Sequence, residues 1–181
     1  DGLKLFLVKI SDIDADIYVS EYSSGRWMPS KSLDKPINSK YFESHACISP
    51  DGKTLYFTSN RKESIGGMDI FTSTLNDNGT WSEPVNLGPG VNTHLNEETP
   101  FIALDGKTLF FSSQGHETIG GYDYFRTEKQ ADGAWSRPEP LPYPINTTDD
   151  DLFFFPSDKE NSGYLTLYLP EGLGSGDLYY L

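Results

Sequence analysis

Three tryptophans, Trp27, Trp81 and Trp135, stand 54 residues apart. Each opens a copy of one phrase: GRWMPSKSLDKPIN from Gly25, GTWSEPVNLGPGVN from Gly79 and GAWSRPEPLPYPIN from Gly133. The Ile/Val-Asn pairs that close the copies end at Asn38, Asn92 and Asn146, on the same period. A fixed period of this size means a chain of stacked supersecondary units, each too small to bury its apolar face alone.

Aligned on that period, nearly the whole chain repeats. SPDGKTLYFTSN from Ser49 matches ALDGKTLFFSSQ from Ala103, and DGLKLFLV from Asp1 is a looser copy. RKESIGGMDIFTST from Arg61 matches GHETIGGYDYFRTE from Gly115. Within each unit four short strands are expected. The first, SHACIS or TPFIAL, ends at an Asp-Gly turn, where Gly accepts positive φ without a steric cost. The second, TLYFTS or TLFFSS, is aromatic and β-branched. A longer loop ending in Gly-Gly leads to the third, DIFTST or DYFRTE. After a second tight turn the fourth strand opens with the Trp and carries Pro84 or Pro138. Proline has no N–H for a ladder, so this strand belongs at the sheet edge. Four antiparallel strands per unit with no helical pattern between them describe an all-β chain, a β-propeller of four-stranded blades.

The units run 1–42 (partial), 43–96, 97–150 and 151–181 (partial), about 3.4 repeats of 54 residues. The expected strand count is three, four, four and three. Three completions are open: a four-bladed ring with imperfect outer blades, further blades outside these residues, or a partner chain. The favoured expectation is that the chain forms part of a larger ring.

SPDGKTLYFTSNR, followed by Gly-Gly-Met-Asp-Ile-Phe from Gly66, resembles the WD-like β-propeller repeats of TolB-type proteins. The added GxWSxPxxL…(V/I)N segment is similar to propellers of Bacteroidota envelope proteins of the OmpA family, PorE-like type IX secretion components among them. The closing PEGLGSGDLYYL also resembles the last blade of that group. The resemblance spans residues 1–181. It implies a non-enzymatic, periplasmic scaffold associated with the outer membrane and docking a protein partner in an envelope complex. Peptidoglycan contact in that family belongs to the OmpA-like domain, so here it would run only through a domain outside this chain.

The formal charge of −13 repels nucleic acid and anionic lipid. It favours basic proteins and cations, or it serves solubility alone. No apolar run approaches the 18 residues of a membrane span. The one cysteine, Cys47, excludes an internal disulfide and, between Ala46 and Ile48, reads as a small buried apolar residue.

The long loops of such blades all emerge on one face. That face would carry Arg61, Lys62, Glu63, His116 and Glu117 from the Gly-Gly loops. His94, Glu97, Glu98, Asp149, Asp150 and Asp151 would join them from the inter-blade loops. Loops on a rigid scaffold are where binding concentrates. Glu43, Glu97 and Asp151 repeat just before the innermost strand. They are either a carboxylate ring suited to a hard cation such as Ca2+ or solvated loop caps. Asp12, Asp14 and Asp16 superficially match a calcium loop, but the required Gly and Glu are absent. Asp16, Asp69, Asp123 and Asp177 instead share a repeat slot that suits turn capping. Trp27, Trp81 and Trp135 read as packing between adjacent units, with sugar stacking the alternative.

No nucleophile elbow, zinc-protease or phosphate-loop motif is present. His45, in the slot of Thr99, reads as an ordinary strand residue. No catalytic residue, cofactor or metal ligand is assigned. A glycan-handling propeller remains the alternative function, with Tyr41, Phe42 and Tyr122 as candidate stacking residues. A weaker one is the propeller of a prolyl-oligopeptidase-type enzyme whose hydrolase domain lies elsewhere.

Overall fold

The computed structural model describes residues 2–11, 13–157, 162–167, 172–174 and 176–181. Asp12 lies outside them. The chain is all-β and forms a four-blade β-propeller of antiparallel sheets. Blade 1 contains β1 (Lys4–Ile10), β2 (Ala15–Ser23), β3 (Arg26–Trp27) and β4 (Lys31–Ser32). Blade 2 is β5 (Glu43–Ile48), β6 (Thr54–Ser59), β7 (Asp69–Thr74) and β8 (Val85–Asn86). Blade 3 is β9 (Glu97–Ile102), β10 (Thr108–Ser113), β11 (Asp123–Glu128) and β12 (Glu139–Pro140). Blade 4 contains β13 (Phe155–Pro156), β14 (Gly163–Leu167) and β15 (Asp177–Tyr180). Blades 2 and 3 are plain meanders, with sheet order equal to chain order.

The outermost strand is shorter than the sequence pattern suggests. Trp81 makes only an isolated bridge to Leu75, and Trp135 one to Lys129. Pairing then lapses and resumes for two residues at β8 and β12. The lapse falls at Pro84 and Pro138, which have no N–H to donate.

Alternation places one set of side chains on the front of each blade and the other on its back. On blade 2, Leu55, Phe57 and Phe71 face blade 1, where they pack with Ile17 and Ile37. On its back, Tyr56, Ile70 and Val91 pack with Ile102, Leu109, Phe111 and Phe125 of blade 3. Tyr124 and Ile145 then meet Phe154 and Leu165 of blade 4. The core is therefore three equivalent seams between blades, the expected result for a repeat whose units share faces. Trp81 packs on the first seam and Trp135 on the second. Trp27 differs: it lies exposed against Tyr22, with ring centroids 5.3 Å apart, because among the described residues no blade covers the front of blade 1.

The recurring Asn explains why each copy of the Trp phrase ends as it does. The Ile17 N–H donates to Asn38 Oδ1 at 2.9 Å, and Asn38 Nδ2 donates to the Ile17 carbonyl at 2.8 Å. Asn92 grips Ile70 and Asn146 grips Tyr124 in the same two-bond manner. One buried amide thus substitutes for a strand residue beside the third strand, where the ladder would otherwise leave buried backbone groups unpaired.

Candidate functional site

The Gly-Gly loops and the inter-blade loops lie together at one end of the blades. Gly67 N–H donates to the Leu95 carbonyl and Met68 N–H to Asn96 Oδ1, both at 2.8 Å. Tyr122 N–H donates to Asp150 Oδ1 at 2.9 Å one blade later. The first glycine of each pair is needed for this approach. A Cβ at Gly66 would stand 2.3 Å from the Leu95 carbonyl oxygen, and one at Gly120 2.2 Å from that of Asp149.

Several charged residues expected on this face are turned into the blades. Glu43 and Glu97 are fully buried and Asp151 nearly so. Each closes the loop behind it. Glu97 accepts from the Thr93 N–H (2.8 Å), the Thr93 hydroxyl (2.7 Å) and the Ser113 hydroxyl (2.7 Å). Glu43 accepts the matching bonds from Ser39 and Ser59, and Asp151 accepts from Thr147. The repeated acidic slot is a set of caps, buried rather than solvated. The carboxylates point at their own loops, whose N–H and hydroxyl groups they accept from. Among the described residues no group of three or more His, Cys, Asp or Glu side chains converges to hold a metal ion. Burial raises the Asp151 carboxyl to about 6.

Arg61 and His116 are inward as well. Arg61 Nη2 lies 3.1 Å from Glu43 and donates to the Ile37 carbonyl of blade 1 at 2.7 Å. Its guanidinium lies over the Phe57 and Phe71 rings. His116, one position on in the repeat, does the same job a blade later. It bonds the Val91 carbonyl at 2.8 Å and packs between Phe111 and Phe125. Both are clasps across a seam, so the expectation that they present charge to a partner is corrected.

Three of the four aspartates before the third strand, Asp69, Asp123 and Asp177, cap the loop that leads into it. Asp69 accepts the Ile65 and Gly66 N–H groups, and Asp177 those of Leu173 and Gly174. Asp123 accepts those of Ile119 and Gly120. Asp69 receives a further bond from Asn86 Nδ2 at 2.7 Å. Position 140, its counterpart, is Pro, and Asp123 Oδ1 is buried with no hydrogen-bond partner. Burial, then Asp14 and Glu43, raise the carboxyl of Asp16.

Solvent on this face meets Lys62, Glu63, His94, Glu117, Asp149 and Asp150. Lys62 and Glu63 pair at 3.4 Å, and Glu117 pairs with Arg137 at 3.1 Å. Inside this rim run the innermost strands of blades 2, 3 and 4. A residue with left-handed backbone recurs in or just before each: His45 (φ 45°), Thr99 (φ 50°) and Phe153 (φ 68°). At the first two, the strand pairing shifts register through a bulge. His45 Nδ1 lies 3.2 Å from Glu98 Oε2 of the next blade, and the Tyr122 hydroxyl donates to Glu98 Oε1 at 3.0 Å. The His45 ring meets Phe153 of blade 4 edge-on at 5.4 Å. Three blades thus touch at one point. The His45 hydrogen bond holds the Glu98 carboxyl below its ordinary range, while burial and the Glu98 charge raise the Tyr122 hydroxyl. His45 is therefore more than a strand residue, and the 54-residue register that aligned it with Thr99 hid this, because its partner lies in the neighbouring repeat.

Of the candidate stacking aromatics, Phe42 is exposed at the rim, whereas Tyr41 and Tyr122 are half-buried. Phe153 adds an exposed ring. Cys47 packs at the edge of the second seam, and burial pushes its thiol up to about 12, so it is no ready nucleophile.

No protein-family model matches this chain, and no curated protein matches it significantly. Solved structures do. TolB from Acinetobacter baumannii aligns over 100% of this chain and 41% of its own, with TM-score 0.60 and 17% identity. A structure titled as TolB from Agrobacterium tumefaciens aligns over 99% of this chain and 61% of its own, with TM-score 0.59 and 17% identity. Puromycin hydrolase aligns over 92% of this chain and 25% of its own, with TM-score 0.50 and 17% identity. This chain spans less than two thirds of each. At that identity the likeness is one of fold.

Proposed function

We propose that this propeller is a non-enzymatic docking scaffold of the bacterial cell envelope, which holds a protein partner on its loop face. One observation carries the reading. The groups that look reactive in the sequence, Arg61, His116, Glu43, Glu97 and Asp151, are consumed in holding the loops. What remains outside is a rigid rim of ordinary charges, Glu63, Glu117, Asp149 and Asp150 among them, on a chain of net charge −13. A rigid acidic rim selects a basic protein surface and steers its approach. The fold likeness to TolB structures supports a periplasmic setting. The GxWSxPxxL…(V/I)N segment supports the narrower reading, an outer-membrane-associated component of the OmpA or type IX secretion group. Any anchorage to peptidoglycan would then come from a separate domain.

Site-specific photo-crosslinking in native cells tests this. A photoreactive residue at position 63 or 149 on the loop face should capture a defined protein. One at position 77, in a tight turn at the opposite end, should not. Asp149→Lys with Asp150→Lys should abolish capture. Equal labelling from both ends, or capture indifferent to the charge reversal, refutes docking by this face. A type IX or OmpA-family protein among the captured species would support the narrower assignment.

Exposed Phe42, and exposed Phe153 against the His45 that pairs with Glu98, favour glycan binding as the second reading. Chemical-shift changes at these rings on titration with oligosaccharides would establish it. A hydrolase reading has only the puromycin hydrolase fold likeness behind it.

A further inference from the structure

The back of blade 2 and the Trp135 end of blade 3 enclose a groove of about 420 Å³, within the range of about 300–1,000 Å³ usual for small-molecule sites. Both walls belong to complete internal blades. Thr54, Thr74 and Lys129 line the groove near the tight turns, at the end opposite the loop face. Trp135 stands in its wall, edge-on to the Tyr56 ring at 6.4 Å, with Lys129 Nζ 6.0 Å from the indole centroid. Tyr56 is only 3% exposed, and Thr72 is its partner across the strand pair. Among the described residues the hydroxyls of Tyr56, Thr54, Thr72 and Thr74 take part in no hydrogen bond, and Lys129 in no ion pair. Burial, then Cys47 and Asp51, push the Tyr56 hydroxyl up to about 12, so it keeps its proton at neutral pH. Packing does not ask for that hydroxyl. The slot of Tyr56 holds Phe6 in blade 1 and Phe110 in blade 3, as their pairing with Val19 and Arg126 shows. The slots of Thr72 and Thr74 hold Arg126 and Glu128 in blade 3, where Arg126 is paired with Glu139 at 3.0 Å. The repeat needs a ring at this point; the unpartnered hydroxyls belong to this groove alone, and a polar group buried without a partner is a cost that a ligand can remove.

We propose that this groove is a saccharide-binding site that takes one uncharged hexose-sized ring. The chemistry of the lining selects the ligand class. An aromatic wall with a few placed polar groups suits a small ring that is apolar on its faces and polar at its edge. The Tyr56, Thr54, Thr72 and Thr74 hydroxyls each donate and accept, as sugar hydroxyls do, and the Lys129 ammonium adds donors. A purely apolar ligand would bury these groups unpaired. An anionic one would meet the net charge of −13 and Asp51, whose charge already acts on Tyr56. The groove is remote from Phe42 and Phe153, so the site depends neither on docking at the loop face nor on glycan binding there.

Heteronuclear NMR of the isotopically labelled chain, titrated with the methyl glycosides of glucose, galactose and mannose, tests the proposal. A ligand of this size binds at about 1 mM. At least one of the three should therefore shift the Trp135 indole N–H and the Thr72 amide saturably in that range, and leave Trp27 and Trp81 in place. Tyr56→Phe installs the residue that blades 1 and 3 already carry, so it should keep the parent melting temperature. It should weaken binding about 2- to 10-fold, the worth of one hydrogen bond. Thr72→Val, of the same shape, should do likewise. Cyclohexanol, a ring of similar size with a single hydroxyl, should move Trp135 far less at equal concentration. The proposal is overturned if none of the three glycosides shifts Trp135 by about 20 mM. Binding that is undiminished in both variants, or a cyclohexanol response equal to that of the sugars, overturns it equally. Shifts confined to Phe42, His45 and Phe153 also overturn it, and would put glycan binding on the loop face instead.

Discussion

Replacing Asn92 with Ala should cost far more than loss of one polar side chain from a loop. Asn92 makes three bonds: it accepts from Ile70 N–H at 2.8 Å and donates to the Ile70 carbonyl at 2.9 Å and to Asn86 Oδ1 at 2.8 Å. Two of the three partners keep an alternative. The Ile70 carbonyl still receives Leu87 N–H at 3.1 Å, and Asn86 Oδ1 still receives Gly88 N–H at 2.7 Å. The Ile70 N–H has none, and Ile70 is fully buried. An orphaned buried donor costs about 1–3 kcal/mol, and the space vacated by the truncated amide adds about 1 kcal/mol. The expected loss is therefore about 2–4 kcal/mol. Urea unfolding followed by tryptophan emission should show the midpoint falling by about 1–2 M at a slope near 2 kcal/mol/M. Asn92→Asp refines the test. It keeps an acceptor for Ile70 N–H but sets a buried carboxylate against the Ile70 carbonyl and Asn86 Oδ1. Its folded pKa therefore lies above the ordinary value of about 3.9. A raised folded pKa leaves stability intact below the unfolded value and removes it as pH rises toward the folded one. The deficit of Asn92→Asp should be small near pH 4 and grow toward neutrality. A midpoint shift below about 0.3 M for Asn92→Ala, or a pH-independent deficit for Asn92→Asp, would refute the clamp.

Asp151, raised to about 6 by burial, has the same sign. The wild-type melting temperature should fall as pH rises from about 4, the ordinary carboxylate value, toward 6. Asp151→Asn should flatten that slope while keeping an acceptor for Thr147 N–H, and an unchanged slope would clear Asp151. Pro140→Asn should supply the donor that Asp123 lacks and Asp69 has. Satisfying that oxygen gains about 1–3 kcal/mol against about 0.4–1 kcal/mol for losing a proline. A net rise in the denaturation midpoint is expected, and a fall would show that Asp123 is paired by other means. Gly66→Ala should cost about 1–3 kcal/mol, because its methyl meets the Leu95 carbonyl oxygen at 2.3 Å. Gly52→Ala, with no atom within 4 Å of its Cβ but φ of 72°, is the control that separates backbone strain from collision in the same denaturation assay.

The repeat was legible because each unit solves the same packing problem with the same residues. The Trp spacing, the Asp-Gly turns and the strand order all follow from the need to bury a front and a back on every blade. The site was less legible for two physical reasons. A charged residue in a loop looks the same in sequence whether it faces solvent or closes its own backbone, and Glu97, Asp151, Arg61 and His116 are of the second kind. The signal that separates them was present. Ser39, Thr93 and Thr147 stand four residues before the three acids, the arrangement of a hydroxyl and N–H that a carboxylate can cap. The contact of His45, Glu98, Tyr122 and Phe153 had no such signal, since it joins three repeats at dissimilar positions. The (V/I)N pair was visible as a period but silent as to its purpose. Only the backbone it grips shows that the side chain acts as a missing strand.

The left-handed residue in or just before each inner strand has a consequence for how this scaffold can vary. His45, Thr99 and Phe153 occupy one backbone position in three successive blades. At His45 and Thr99 the conformation sits in a bulge, and what the side chain meets differs from blade to blade: His45 reaches Glu98 and Phe153, whereas the Thr99 hydroxyl stands 2.9 Å from that of Ser112. One backbone position can therefore be kept through the repeat while its side chain decides which neighbours it ties together. Asparagine or glycine would sit there with least strain, because both tolerate positive φ. A histidine, a threonine and a phenylalanine stand there instead, each a costlier occupant, which makes these three positions the place where each blade acquires contacts of its own.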